Sequence, residues 1–303
     1  MLTFIWYSTV MFGTEHYYMN WLLNNQGKEM CKKQNITLNN EKKNDWSRMC
    51  KANVTAQEYE RLFPKNLDKY VYATWGGLCG GLGNQIVIKY IKPEEKKNET
   101  FDMKGFAPGC CSYEDPQKRA VSRIKEKYIK VDGYYFQSYK FFETRRAEIR
   151  QIFQFGQGVC KTVETYKKEL FQDDKAHKFC VHVRVEDFKN FGIESKKEFT
   201  EHGIEFGLKY LKEKFDNISV LISNVFLPKA MSRGEDLAFA ATACDSLLIT
   251  ASSSTFSWWI AYLMPDEAMI FYNSKFEGTP YVRENFLAEW IPIQLINGTV
   301  VLD

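Results

Sequence analysis

Short uninterrupted apolar runs alternate with segments of helical period through the second half of the chain. Phe179-Cys180-Val181-His182-Val183, Ile218 to Ile222, Leu247-Leu248-Ile249 and Ala268 to Tyr272 read as strands. Between them, Ile204, Leu208, Leu211 and Phe215 keep helical spacing, and residues 235–243 and Ser254 to Leu263 read as helices. A continuous apolar run suits a strand buried on both faces, so Ile218 to Ile222 is expected inside a sheet. Strand–helix alternation implies a parallel sheet with helices on both faces. The fold class is therefore α/β. At 303 residues the chain suits two domains or one large α/β domain.

The first half is less regular. Residues 1–20 open with MLTFIWYSTVMFG, thirteen residues without a charge. That length fits a signal or shortened signal-anchor; the plainer reading is a buried first strand. Residues 21–66 are Lys- and Asn-rich and read as a stem. Tyr70 to Trp75 reads as a strand, followed by the glycine cluster GGLCGGLGNQ from Gly76 to Gln85. Residues 92–116 read as loop, and residues 117–130 and Phe141 to Phe153 as helix. The division expected is a domain at 67–175 and a second at 176–303.

The net charge of +3 gives no electrostatic footprint for nucleic acid. Five N-x-[ST] sequons, at Asn35, Asn53, Asn98, Asn217 and Asn297, point to the secretory pathway. The eight cysteines form an even set, as lumenal disulfides would need, but sequence does not give their pairing. No C-x-x-C is present and the four His are scattered, so no zinc site is expected.

Three segments carry residue types suited to chemistry. Gly80-Gly81-Leu82-Gly83-Asn84-Gln85 follows a strand, where glycines let a backbone turn sharply and approach a ligand. Its spacing is neither a Rossmann dinucleotide loop nor a P-loop, and a tight strand–helix turn explains it equally. His182-Val183-Arg184-Val185-Glu186-Asp187 ends a buried strand, where α/β folds place ligands. An Arg fork there suits a diphosphate; the plainer reading pairs Arg184 with Glu186 or Asp187. Glu235-Asp236, Cys244-Asp245 and TASSSTFSWW from Thr250 to Trp259 form the third. Hydroxyls at a helix N-terminus make an anion cradle, and ordinary capping needs only one of them. No D-x-D occurs, so Arg and backbone dipoles would have to neutralise a bound diphosphate.

Taken in order, these segments resemble the alpha-1,2-fucosyltransferase family (glycosyltransferase family 11, galactoside 2-alpha-L-fucosyltransferase-like). The residues that carry the resemblance are GGLGNQ at 80–85, GYYFQSYKFF at 133–142 with Ile149-Arg150 and Phe153, HVRVED at 182–187, and EDLAFAATACDSLLITASSSTFSWWIAYL at 235–263. The resemblance implies a GT-B arrangement of two facing Rossmann-like domains. The N-terminal one would face the acceptor and the C-terminal one would bind GDP-fucose. It implies inverting transfer of L-fucose from GDP-fucose to a galactose-type hydroxyl of a glycan, with no metal and no cofactor beyond the donor. It implies a Golgi-lumenal protein attached to the membrane only through its N-terminus, if at all. By the same resemblance Arg184 would hold the diphosphate and His182 the nucleotide side, with Asp236 on guanine or ribose. Ser254, Thr255 and Phe256 would line the phosphate pocket, faced by Gly83 and Asn84 from the other domain. Asp187 and Glu186 are the nearest candidates for a base.

The chain departs from the family pattern in two places. Val185 stands where the family has a second Arg, and Glu186 where it has Gly. A carboxylate about 4 Å from a phosphate charge costs roughly 4 kcal/mol in partly screened surroundings. The stretch from Gln85 to Tyr134 is also short, so the N-terminal domain is expected to be incomplete by a βα unit. These departures make a pseudoenzyme that binds glycan or GDP the competing reading.

Overall fold

The computed structural model describes residues 6–8, 70–74, 86–88 and 99–303, apart from 110, 116–117, 120–122, 133–136 and 225–230. Two compact units divide between Ile152 and Phe153.

The first unit contains two small sheets. Strands β1 (Trp6–Ser8) and β3 (Ile86–Ile88) pair antiparallel. Strands β2 (Tyr70–Thr74), β4 (Thr100–Met103) and β5 (Tyr128–Asp132) form a parallel sheet with β5 in the middle. The helix expected over 117–130 is therefore corrected: among the described residues no α-helix forms there, those between 118 and 127 are turn and irregular chain, and Tyr128 to Asp132 is a strand. Its aromatic and β-branched Tyr128, Ile129 and Val131 suit a pleated surface, and pairing on both edges overrides the Lys- and Glu-rich helical composition before it. Ile129 is fully buried. The helix expected at 141–153 forms only over α1 (Arg146–Ile152), preceded by two 3-10 turns at Tyr139–Phe141 and Glu143–Arg145.

The second unit holds a six-stranded sheet ordered β11-β10-β9-β8-β6-β7. Its strands are β6 (His177–Val183), β7 (Ile218–Asn224), β8 (Ser246–Ile249), β9 (Met269–Asn273), β10 (Ile291–Ile296) and β11 (Thr299–Leu302). All neighbours are parallel except the terminal β10–β11 hairpin. That hairpin turns at Asn297 and Gly298, whose φ angles of 48° and 76° are the left-handed pair such a turn requires. The helices are α2 (Gln157–Phe171), α3 (Glu186–Lys189), α4 (Lys197–Lys212), α5 (Arg233–Ala243) and α6 (Thr255–Leu263). Among the described residues this unit runs from Phe153 to Asp303 and takes in α2.

Alternation along β6 sends Phe179 and Val181 to one face, where they join Phe199 and Leu211 of α4, Leu248, Phe271 and Ile293 in a single core. Gly203 and Gly207 are what allow α4 to lie this close. A Cβ on Gly207 would sit 2.4 Å from the Phe179 ring, and one on Gly203 3.1 Å from Leu248. On the other face, Val159, Val163 and Tyr166 of α2 pack against Ala238, Phe239 and Ala243 of α5, with Leu221 of β7 against them. A disulfide joins Cys180 of β6 to Cys244 at the end of α5. Ile218 to Ile222 is a strand but not an interior one. Among the described residues β7 pairs only with β6, and Val220 and Ile222 are 39% and 59% exposed.

Candidate functional site

The carboxyl ends of β6 and β8 lie side by side, with His182 opposite Ile249. The chain leaves β6 into Arg184 and α3, and leaves β8 into the turn before α6. These are the positions where a parallel sheet presents backbone and helix N-termini to a ligand.

His182 is 3% exposed, and neither ring nitrogen has a hydrogen-bond partner among the described residues. The Phe256 ring, in the first turn of α6, lies 6.0 Å from it. Burial, and then the neighbouring Arg184 charge, lower the imidazole to about 4. The ring is therefore neutral at physiological pH and offers one donor and one acceptor. Such a group suits a neutral, hydrogen-bonding part of a ligand rather than a phosphate.

Arg184 presents a half-used guanidinium. Its Nη2 donates to Asp187 Oδ2 at 2.8 Å, while its Nε is buried without a partner among the described residues. The guanidinium lies over the Phe188 ring, 5.3 Å from its centre. The pairing of Arg184 with Asp187, the plainer reading of the sequence, is thus realised. The Glu186 side chain lies outside the described ones.

A chain of hydroxyls fixes the backbone under these two residues. The Arg184 N–H donates to Ser195 Oγ at 2.8 Å, and Thr250 Oγ1 donates to the His182 carbonyl at 2.7 Å. Ser195 and Thr250 are 2.6 Å apart. Thr250 has its one proton on the carbonyl, so Ser195 is the donor between them. The Ser195 N–H also returns to the Arg184 carbonyl at 2.7 Å. Both hydroxyls are buried. Ser195 carries no sequence signal, because nothing in its neighbours shows that the chain doubles back there.

The hydroxyl cradle expected over 250–255 is reduced for the same reason. Thr250 holds the His182 carbonyl, and Ser252 donates to the Asn273 carbonyl. Ser254 is the N-cap of α6 and accepts from the Ser257 N–H at 3.4 Å. Ser253 and Thr255 remain part-exposed, with hydroxyls outside this scaffold.

Asp236 lies in the first turn of α5, whose start is fixed by a capping box between Ser232 and Glu235. Burial, and then the Glu235 charge, raise its carboxyl to about 6. Gly83, Asn84, Asn35, Asn53 and Asn98 lie outside the described residues. Asn217 and Asn297 are both exposed, Asn217 between α4 and β7 and Asn297 in the terminal hairpin. Among the described residues no group of three His, Cys, Asp or Glu converges as a metal site would. None of the described helices is long and apolar enough to cross a membrane.

No family model matches the chain. Two galactoside 2-alpha-L-fucosyltransferases of Caenorhabditis elegans are similar to it in sequence. One is 29% identical over 207 residues, covering 61% of this chain and 56% of its own length. The other is 27% identical over 240 residues, covering 63% and 59%. The chain thus spans a little over half the length of these relatives. Among solved structures, the beta Kdo 2,7 transferase KpsC of Thermosulfurimonas dismutans aligns over 54% of this chain and 62% of its own at 12% identity. Its TM-score of 0.21 is too low for any inference.

Proposed function

Starting from the chain's kinship with the galactoside 2-alpha-L-fucosyltransferases, we propose that it transfers L-fucose from GDP-fucose to a galactose-type hydroxyl of a glycan. Transfer inverts the donor's anomeric carbon and needs no metal, as in an enzyme of the GT-B class. The observation that carries this reading is the half-used Arg184 guanidinium beside the buried His182 ring, whose nitrogens have no partner among the described residues. Both lie at the carboxyl end of a central parallel strand, next to the N-terminus of α6.

The two residues divide the donor between them. Arg184, with the α6 N-terminus, suits the diphosphate, where negative charge grows as GDP departs. Fixed donors aimed at that charge stabilise the departing state more than the bound donor. Neutral His182 suits the nucleoside, and Asp236 its base or ribose. Ser254, Thr255 and Phe256 sit at the α6 N-terminus, where a phosphate pocket would lie, although Ser254 acts there as the cap. Gly83 and Asn84, which the resemblance also assigns to the donor, lie outside the described residues.

A lumenal, Golgi location with at most an N-terminal anchor agrees with the buried Cys180–Cys244 disulfide, the disulfide-bonded state of Cys160 and the exposed sequons Asn217 and Asn297. The second reading, a pseudoenzyme that binds GDP or glycan, is favoured by Val185 and Glu186 beside Arg184. Fucose transfer from GDP-fucose to a β-galactoside, followed in EDTA, tests the proposal. Product formation in EDTA supports it. Loss of turnover restored by manganese refutes metal independence, and GDP binding without turnover selects the pseudoenzyme.

A further inference from the structure

We propose that the exposed Tyr113 ring is the platform on which the galactose of the glycan stacks. This rests on the glycan-acceptor reading and names, within the first unit, the residue that recognises the sugar.

The ring stands at the carboxyl end of a parallel sheet. Strands β4 and β5 are neighbours with Met103 opposite Val131, and the chain leaves them after Met103 and after Asp132. That end of a parallel sheet is where α/β folds bind ligands. The segments that follow the two strands meet through aromatic rings. Phe141 belongs to the segment at 133–142, which carries part of the family resemblance. Its ring lies 6.1 Å from that of Phe106 and 5.0 Å from that of Tyr113, the second contact edge-on. Phe106 and Phe141 are buried, whereas Tyr113 is 41% exposed.

The loop that carries Tyr113 is held in shape by its own polar groups. Glu114 accepts from the Ala107 N–H at 2.9 Å and from the Arg119 guanidinium, and Arg119 Nη2 donates to the Gly105 carbonyl at 2.8 Å. Gly105 and Ala107 have left-handed φ angles of 63° and 43°. A non-glycine residue stays in that region only where its surroundings fix it. Tyr113 is thus anchored on both sides, by Glu114 next to it and by Phe141 beneath it. A sugar that lands on a ring already in place has little ordering cost to overcome.

The surroundings of the ring match a galactoside. Because O4 of galactose is axial, its C3–H, C4–H and C5–H bonds share one face. That apolar, weakly positive face packs on the electron-rich face of an aromatic ring. The hydroxyls at the rim of the sugar need acceptors, and carboxylates are the strong ones. Two lie around the Tyr113 phenol. Burial, and then the charges of Asp115 and Glu143, push it above its ordinary value. The phenol therefore stays protonated at neutral pH and can donate in its turn.

Lactose titration followed by NMR, fucose-transfer kinetics with lactose and GDP calorimetry test this on wild type, Tyr113→Ala and Tyr113→Phe. Thermal melts confirm that both variants fold. Tyr113→Ala should raise the Kd and KM for lactose about tenfold, as truncation of an aromatic anchor does, with kcat and GDP affinity unchanged. Tyr113→Phe keeps the ring and should keep most of the lactose affinity. Unchanged lactose Kd and KM in Tyr113→Ala overturn the platform and leave the transferase reading standing. So does a Tyr113→Phe variant as weak as Tyr113→Ala, because the ring would then not be what binds. GDP affinity that falls together with lactose affinity would make Tyr113 a structural residue and also overturn the platform. Lactose binding by wild type that is lost in Tyr113→Ala, with no fucose transfer by wild type, supports the platform and overturns the transferase reading instead. No lactose binding by wild type overturns the platform.

Discussion

Replacing His182 by leucine should stabilise the free protein, reduce its sensitivity to acid and end nucleotide binding. The neutral ring holds a buried donor and a buried acceptor with no partner among the described residues. An unsatisfied buried polar group costs about 1–3 kcal/mol, and leucine is close enough in volume to leave no large cavity. A net gain of about 1–3 kcal/mol at neutral pH is expected once imperfect packing is allowed for. The acid limb follows from the depressed imidazole. The unfolded chain takes up a proton near the ordinary value of 6.5, whereas the folded ring does so only at about 4. Stability from this group is therefore complete above the unfolded value and lost as pH falls from there towards the folded one. Between about pH 7 and about pH 4.5 the loss is about 2 kcal/mol. Asp236 and the other carboxylates titrate in both proteins and cancel in the difference. Urea unfolding of wild type and His182→Leu at the two pH values measures it, with GDP calorimetry beside it. A leucine variant that is less stable at neutral pH and no better at acid pH would refute the reasoning, because the ring would then be neither unsatisfied nor held neutral by burial.

Replacing Cys180 and Cys244 together by alanine should cost about 4 kcal/mol by loss of a cross-link, given their separation of 64 residues. An unchanged urea midpoint would mean the bond does not form. Reverting Val185→Arg with Glu186→Gly changes the local charge by +2, so GDP affinity should rise about tenfold or more and the gain should shrink with salt. Equal affinity would mean the two departures are neutral. Asn217→Gln and Asn297→Gln should each remove one step of the endoglycosidase mobility shift of protein made in secretory cells. No shift in the unsubstituted protein would overturn the lumenal reading.

The parallel sheet of the second unit was legible because its strands are short apolar runs separated by helical periods. Their order across the sheet was not. The run at Ile218 to Ile222 has the composition of an interior strand, yet Val220 and Ile222 are exposed at the edge. Edge position depends on which strands pair, and that lies in no local pattern. Tyr128 to Asp132 shows the reverse case, where pairing on both sides makes a strand within a segment of helical composition. Asn297-Gly298 carries the sequence signal of a hairpin turn in addition to its sequon.

At the candidate site, the position of His182 and Arg184 at the end of a buried strand was legible in the sequence. Whether the neighbouring hydroxyls bind a ligand or hold the scaffold was not. Thr250, Ser252 and Ser254 each meet a backbone group brought near by the fold, and Ser195 enters only because residues 184 and 195 meet across a closed loop. Such distant pairings, like Cys180 with Cys244, leave no spacing rule in the chain.

GDP calorimetry of wild type against Arg184→Lys tests most directly that the end of β6 holds a nucleotide diphosphate. A lysine keeps the charge but replaces the planar fork by a point ammonium. Loss of a charged hydrogen bond of about 1.5–3 kcal/mol then weakens GDP binding roughly tenfold or more. Measurable binding by wild type, weakened to that extent in the variant, is the expected result. Equal GDP affinity in the two proteins would contradict the assignment of Arg184 to the diphosphate and, with it, the placement of the donor at this strand end.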